Sequence, residues 1–218
     1  MACNTESPKA SIPSNVAYNL TEDLISELDW MNMPDEFVLE NGSLKIAAIK
    51  ETDFFINPED SSNSSSAPFL YETIEGDFLA KALVQPDFSE QWNAVALMVH
   101  LDSLNWIKFA FENSDATGPS IVSVVTKGTS DDANGFILTG SQKVWLAIAK
   151  KENVYAMHWS LDNEKYHMAR LTAMPRQPSV KIGIEAQSPV GEKATHQIHF
   201  FEVEEITVDY LRDINVEN

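Results

Sequence analysis

The sequence lacks the residues and segments on which several large classes of protein depend. It has a single cysteine, Cys3, among 218 residues, so no disulfide can form within the chain, and we expect a reducing compartment, the cytoplasm. No apolar run is long enough to cross a bilayer. Residues 1–15 have neither the basic nor the apolar part of a secretory signal. These absences predict a protein that is neither exported nor inserted into a membrane.

Basic residues are also scarce. The chain has 15 lysines and arginines against 33 aspartates and glutamates, which gives a formal net charge of -18. A field of this sign repels the phosphates of nucleic acids and anionic lipid surfaces, so neither is expected as a partner. The acidity is typical of a solvated surface, although it also suits contact with a basic partner protein.

Complete catalytic and metal-binding motifs are missing as well. There is no G-x-S-x-G nucleophile motif and no glycine-rich phosphate loop. His196 and His199 are three residues apart, so on a strand they would point to opposite faces and would be poor ligands for one metal ion. His196 is expected at the surface. The polar segment 131–135 lacks the alternate spacing and the final glutamate of a calcium loop. We therefore predict no catalytic triad, no metal site and no cofactor.

The most informative segment that is present runs from Ala94 to Glu112. Its second half places Ile107, Phe109 and Phe111 on one face of a strand. The alternate positions are Trp106, Lys108, Ala110 and Glu112. Because side chains of a strand alternate between its two faces, this pattern predicts an antiparallel hairpin with one buried and one polar face. The connection would lie at residues 102–105.

Most of the remaining chain reads as short strands separated by turn signals. Asn41-Gly42 is a strong hairpin signal, and Thr21-Glu22-Asp23 could cap one short helix that carries Leu24, Ile25 and Leu28. Residues 57–67 and 128–135 are polar and are predicted as loops. We expect a disordered leader over residues 1–17, followed by one all-β domain, a two-sheet antiparallel sandwich, over residues 18–218.

A series of short motifs resembles one known family. In chain order they are Gly76–Phe78, Asn93–Val99, Asn105–Lys108, Ser123–Gly128, Val144–Leu146 and Ile182–Ala186. This series is similar to that of the regulation-of-enolase-like family of the concanavalin A-like lectin/glucanase superfamily. The resemblance implies a concanavalin A-like jelly roll and carbohydrate-related surroundings. Relatives often carry arginine where this chain has His100, so the resemblance does not supply a fixed cation at that position.

The concave sheet face of such a jelly roll is the expected place for a ligand. From the alternation we assign to it the following residues: His100, Trp106, Lys108, Glu112, His158 and Glu185. Aromatic rings stack on the apolar faces of sugars, and charged groups bind hydroxyls, so the set suits a carbohydrate. The alternative is an ordinary solvated sheet face with cross-strand charge pairs.

Three functions are compatible with these features. The first is a non-catalytic module that binds a carbohydrate or small metabolite. The second is a cytosolic regulator that binds a metabolic enzyme such as enolase. The third is a glycoside-processing enzyme with Glu112 or Glu185 as acid or base, and such an enzyme would need two carboxylates roughly 5 to 10 Å apart. We expect the first of these.

Overall fold

The structure is a computed structural model that describes residues 20–215. The predicted leader, residues 1–17, lies outside the described residues. The segment from Glu22 to Glu27 forms one short helix, α1. Thr21 caps it, since its side-chain hydroxyl accepts a hydrogen bond from the backbone N–H of Leu24 at 3.2 Å. The predicted short helix and its cap at Thr21 are confirmed, although the helix ends before Leu28, which is its C-cap residue. Within the described part of the chain, no helix is long and apolar enough to span a membrane.

Strands make up most of the rest. The first eight are β1 (Asp29–Met31), β2 (Phe37–Glu40), β3 (Ser43–Ile49), β4 (Phe54–Ile56), β5 (Asn63–Ser65), β6 (Phe69–Glu75), β7 (Phe78–Gln85) and β8 (Ala94–Asp102). The next eight are β9 (Asn105–Ser114), β10 (Gly118–Lys127), β11 (Ser130–Ile137), β12 (Val144–Lys151), β13 (Val154–Ser160), β14 (His167–Ala173), β15 (Ser179–Gln187) and β16 (Lys193–Glu204). The described part of the chain is thus almost entirely β.

The strands form two antiparallel sheets of seven strands each. Sheet A has the order β1-β6-β15-β8-β9-β10-β11, and sheet B has the order β14-β13-β12-β7-β16-β3-β2. A separate ribbon pairs β4 with β5. The main core combines residues of both sheets, among them Leu97 and Phe109 from sheet A with Val84 and Leu146 from sheet B. This is the two-sheet sandwich that the sequence predicts.

The hairpin of β8 and β9 has the predicted form. Ala94 pairs with Glu112 and His100 pairs with Trp106. The turn between the strands is Ser103-Leu104, and the Asp102 carboxylate closes it by accepting hydrogen bonds from the N–H of Leu104 and the side-chain amide of Asn105. One face of the hairpin joins the core between the sheets, and the other is the outer face of sheet A.

The β4–β5 ribbon packs on this outer face. Phe54 and Ile56 of β4 form an apolar cluster with Met98 and Trp106, and the Ile56 N–H donates to the Ser130 hydroxyl at 2.9 Å. The ribbon therefore covers one half of the outer face and leaves the other half open. It includes Asn63–Ser65, so the predicted 57–67 loop contains a short strand.

A second predicted loop is also a strand. β11 begins at Ser130 and runs through most of the polar segment 128–135. It is the edge strand of sheet A, and after its buried first residue every position is exposed. Neither of its faces packs against the core, so no position after Ser130 needs an apolar side chain. The alternation that identifies a strand in the sequence is therefore missing.

Candidate functional site

The open half of the outer face of sheet A carries a group of buried polar side chains. Register places Lys108 and Glu112 of β9 on the same face as Glu185 and Gln187 of β15, with β8 between them. At these levels β8 contributes only small side chains and one methionine, namely Ala94, Ala96 and Met98. Since alanine leaves space above the central strand, the long side chains of the two flanking strands converge across it.

Lys108 lies at the centre of this group and is only 2 % exposed. Its ammonium donates hydrogen bonds to Asp53 Oδ1 at 2.6 Å and to Gln187 Oε1 at 2.6 Å. Burial by itself lowers the pKa of a lysine, but attraction to the carboxylates of Asp53, Glu185 and Glu112 outweighs burial and raises the pKa of Lys108. Lys108 is therefore a buried, permanently charged and fully engaged cation.

Gln187 connects Lys108 with the rim of the site. Its side-chain N–H donates to the carbonyl of Trp92 at 2.8 Å while its Oε1 accepts from Lys108. Its own carbonyl lies 3.0 Å from the Nε2 of His196, which is fully buried and also accepts from the Asp87 N–H through Nδ1. The expectation that His196 is a surface residue is wrong, because the histidine ties the end of β15 to β16.

Glu112 lies four residues after Lys108 on β9, on the same face of the sheet, and is 7 % exposed. No hydrogen bond joins its carboxyl group to another residue in the described part of the chain. Burial raises the pKa of Glu112 to about 7; Lys108 opposes this change, and Asp53, Asp132 and Asp115 add to it. At neutral pH this carboxyl group thus exchanges readily between its neutral and charged forms.

Glu185 lies deeper and is completely buried. Both of its carboxyl oxygens lack a hydrogen-bond partner among the described residues. Burial raises the pKa of Glu185 to about 8, against the attraction of Lys108 and with the repulsion of Asp53 and Glu112. An unpartnered buried carboxyl group is costly to a fold, so its presence points to a role other than stability.

A cavity of about 540 Å³ opens above these residues. Lys108, Glu112 and Gln187 form its floor. Its walls include Asp53, Phe55, Asn57, Glu59, Trp92, Ser114, Asp115, Asp132, Asn134, Pro189 and Val190. Asn134 is held in place by the Ser114 hydroxyl, which donates to its Oδ1 at 2.6 Å. The volume is that of a typical small-molecule site.

Trp92 stands at the rim of the cavity and is 37 % exposed. Its backbone has a φ of 61°, in the left-handed region that a bulky residue rarely adopts. The conformation is held by a hydrogen bond from the Trp92 N–H to the Asn113 carbonyl at 2.8 Å and by the contact with Gln187 described above. Backbone strain of this kind concentrates at binding sites, and here it presents an aromatic ring to the opening.

The structure brings together three of the six residues that the sequence assigns to the site, which are Lys108, Glu112 and Glu185. His100 and Trp106 share their sheet face but lie under the ribbon, away from the cavity. Trp106 is fully buried, with its ring 6.0 Å from that of Phe54 and stacked on His100 at 6.3 Å. The prediction of Trp106 as an exposed stacking surface is wrong, because β4 covers it.

His158 does not belong to this face. It lies on β13 in sheet B and is 1 % exposed, and its Nε2 is 2.9 Å from the carbonyl of Leu211. Residues after β16 cover this side of sheet B, with Val208 packed against Trp145 and Phe200. Assigning His158 to the site face was wrong, since alternation within a strand does not say which sheet the strand enters.

Sequence reasoning missed three residues of the site, namely Asp53, Trp92 and Gln187. They come from a segment before β4, a connection before β8 and the last residue of β15, so no spacing in the sequence links them. The available signal was Trp92 itself, a large aromatic residue inside the polar run of residues 89–93. Within residues 20–215, no three histidine, cysteine or acidic side chains form a cluster suited to a metal ion.

The two-sheet antiparallel sandwich is a fold that this chain shares with a solved legume lectin-like domain and with part of a solved xylosidase. More particularly, residues 30–206 match the family described as "Protein of unknown function (DUF1349)", and the chain belongs to that family. A sequence comparison with curated proteins finds no match.

Several solved structures share the fold. A functionally unknown protein from Saccharomyces cerevisiae has 23% identity and a TM-score of 0.77, over 83% of this chain and 97% of that one. A legume lectin-like domain from Entamoeba histolytica has 9% identity and a TM-score of 0.57, over 85% and 92%. The xylan β-1,4-xylosidase from Bacillus halodurans has 14% identity and a TM-score of 0.65, over 82% of this chain. The match spans only 39% of that enzyme, and at these identities all three comparisons show the fold alone.

Proposed function

We propose that this protein is a non-catalytic binding domain whose cavity above Lys108, Glu112 and Gln187 takes a carbohydrate or another small polyhydroxylated metabolite. The observation that carries the proposal is the cavity floor, where charged and amide groups are buried yet face an open volume of about 540 Å³. Buried polar groups that face an opening fix the orientation of a ligand and give it specificity. The lectin-like fold supports the same ligand class.

The walls of the cavity offer the contacts that a sugar needs. The exposed ring of Trp92 can stack on the apolar face of a pyranose. The carboxylates of Glu112 and Asp132 accept hydrogen bonds from hydroxyl groups, and the side-chain amides of Asn57 and Asn134 can both donate and accept. An aromatic ring for stacking and several hydrogen-bonding side chains are sufficient to bind a sugar, and binding of this kind involves no chemical reaction.

We propose a non-catalytic domain because Glu112 and Glu185 do not both reach the cavity. Glycoside hydrolysis uses two carboxyl groups that both reach the scissile bond. Glu112 lines the cavity, whereas Glu185 is completely buried and does not line it. Of the two glutamates considered as acid or base, therefore, only Glu112 lines the cavity where a ligand would bind. The second alternative, a regulator of a metabolic enzyme in the cytoplasm, stays a prediction from the sequence.

The test is a glycan array followed by calorimetric titration of its best neutral ligand. We expect wild-type protein to bind, and Trp92→Ala to weaken binding by about tenfold or more, which corresponds to about 1.4 kcal/mol. Tyr210→Ala is the matched control, because Tyr210 is an aromatic residue that is 57 % exposed and does not line the cavity. Thermal unfolding checks that both variants fold. Absence of binding to any glycan or polyol, or equal binding by Trp92→Ala, would overturn the proposal.

A further inference from the structure

The cavity has a strong imbalance of charge. Five of the side chains that line it are acidic, namely Asp53, Glu59, Glu112, Asp115 and Asp132. The single basic side chain in its lining is Lys108. The buried carboxyl group of Glu185 lies beneath this lining and also acts on Lys108. A ligand that enters the cavity therefore meets mainly negative charge or carboxyl groups that can become negative.

The one cation of the lining is already engaged. The Lys108 ammonium is 2.6 Å from Asp53 and 2.6 Å from the side-chain oxygen of Gln187, and its side chain is only 2 % exposed. An ammonium group held in this way has little attraction left for an incoming anion. Sugar phosphates and sugar acids are consequently poor candidates for the cavity, since their charge would be added to that of the acidic walls.

Two carboxyl groups still lack partners. Glu112 lines the cavity, is more than nine-tenths buried, and makes no hydrogen bond to a described residue. Glu185 is on the same sheet face, fully buried and also without a partner in residues 20–215. A buried acceptor that is unsatisfied without ligand gains most from a ligand that brings strong hydrogen-bond donors.

We infer that the ligand carries an ammonium group beside its hydroxyl groups, as an amino sugar does, and that Glu112 is the residue that receives this ammonium. The inference rests on the proposed function and narrows its ligand class. The site already shows the required chemistry, since Asp53 and Gln187 hold the ammonium of Lys108 in the same cavity floor. A divalent metal ion suits the site less well, because the Lys108 cation stands among the carboxylates that would have to bind the metal.

The pH dependence of binding provides a second test of whether Glu112 receives the ammonium group. The groups that face Glu112 are Lys108 on its own strand, and Asp53, Asp115, Asp132 and Glu185 on other segments. The pKa of Glu112 is raised to about 7, and a bound cation favours its charged form. Binding of an amine that stays protonated, such as cyclohexylamine, should therefore strengthen by about tenfold from about pH 6 to about pH 8 and release a proton. Glu112→Gln should remove this dependence.

The main experiment compares three sugars of the same ring that differ in charge, D-glucosamine, D-glucose and D-glucuronate, by NMR titration at neutral pH. We expect D-glucosamine to bind about tenfold more tightly than D-glucose, with a preference that weakens at high salt, and D-glucuronate to show no binding. Glu112→Gln should abolish the preference for D-glucosamine and retain the binding of D-glucose. Glu152→Gln is the matched control, because Glu152 is 66 % exposed and lies outside the cavity.

The outcomes separate this inference from the proposed function. Equal binding of D-glucosamine and D-glucose overturns the inference and leaves the sugar-binding function in place. If cyclohexylamine binds as tightly as D-glucosamine, the ammonium site is supported, but the claim that the ligand is a sugar is overturned. Tight binding of Ca²⁺ or Mg²⁺ with no response to D-glucosamine overturns the inference, and a lack of binding by all of the probes overturns both.

Discussion

The Lys108 ammonium lies 2.6 Å from the Asp53 carboxylate, and this ion pair joins the floor of the cavity in sheet A to the ribbon that covers the other half of the same face. Asp53 directly precedes β4, and its carbonyl also accepts hydrogen bonds from the N–H groups of Ser66 and Ala67 at the other end of the ribbon. One residue thus couples the position of the ribbon to the electrostatics of the cavity.

Removing Asp53 should therefore destabilise the fold. In Asp53→Ala the Lys108 ammonium stays buried without its carboxylate, and breaking a buried pair in this way costs about 3 kcal/mol or more. Urea unfolding measures the loss. Glu192→Ala removes the partner of Lys50 in an exposed pair at 3.3 Å and should cost about 0 to 1 kcal/mol. A cost below about 1 kcal/mol for Asp53→Ala would contradict a structural role for the pair.

Trp106→Ala should destabilise the protein and leave the cavity intact. Trp106 is fully buried among Phe54, Phe69 and Met98, so truncation leaves a void and costs about 3 to 5 kcal/mol. Leu104→Ala, in the adjacent turn, changes a side chain that is 51 % exposed and should alter the free energy of unfolding by less than about 0.5 kcal/mol. Chemical denaturation of both variants checks this, and an unchanged stability of Trp106→Ala would show that the ribbon does not cover it.

Gly183 should tolerate no side chain. It faces Tyr71 of β6 across the sheet, and a Cβ atom at this position would lie 2.0 Å from the Leu70 carbonyl oxygen and 2.6 Å from Tyr71 Cα. Both are backbone atoms, so β6 or β15 would have to move, and Gly183→Ala should cost about 3 kcal/mol or more.

Gly135→Ala serves as the comparison for Gly183→Ala. Its Cβ would lie 2.9 Å from a single carbonyl oxygen, that of Ile121, and it belongs to the edge strand β11, which can shift more easily. We expect a clearly smaller loss in thermal unfolding. Equal losses for the two variants would contradict the argument from close backbone approach.

The stability of the protein should fall as pH rises because of Glu185. Its pKa is raised from an ordinary value of 4.5 to about 8, so between these values the folded state holds a proton that the unfolded state releases. The stabilisation is complete below pH 4.5 and is lost as pH rises through about 8, with a slope of up to about 1.4 kcal/mol per pH unit.

Glu185→Gln isolates this effect, because glutamine keeps the shape without the titration. His196, whose pKa is lowered to about 4 by burial, acts in the opposite direction and destabilises the fold as pH falls below its ordinary 6.5. His196 is present in both proteins, so its contribution cancels in the difference in unfolding free energy between wild type and Glu185→Gln. The difference should change steadily from about pH 5 to about pH 8; a flat difference would show that Glu185 titrates normally in the folded protein.

The fold could be predicted from the sequence wherever a strand has one buried face. For the hairpin of β8 and β9, the alternation predicted the strands, the place of the turn and which residues face the core. It did not predict that the other face is also buried, as it is at Trp106. The β11 strand was missed because both of its faces meet solvent. The helix α1 was predicted for a different reason, since its capping residue Thr21 is a local signal that needs no tertiary contact.

The candidate site could be predicted only in part. Lys108, Glu112 and Glu185 were predicted because they alternate with core-facing residues along their own strands and so point to the other face of the sheet. Asp53, Trp92 and Gln187 were not found, because their places in the site depend on how segments far apart in the chain pack together. His158 satisfied the same alternation rule but lies in the other sheet.

By itself the sequence determined the class of fold, the hairpin with its turn and the polar identity of one sheet face, since each of these follows from local patterns of two to twenty residues. Only the tertiary structure decided which half of that face is open. The covering ribbon lies some fifty residues before Trp106 and Lys108, and its packing buries the tryptophan while leaving the lysine at the floor of a cavity. Burial by a distant segment is a non-local property, and no alternation within a strand records it.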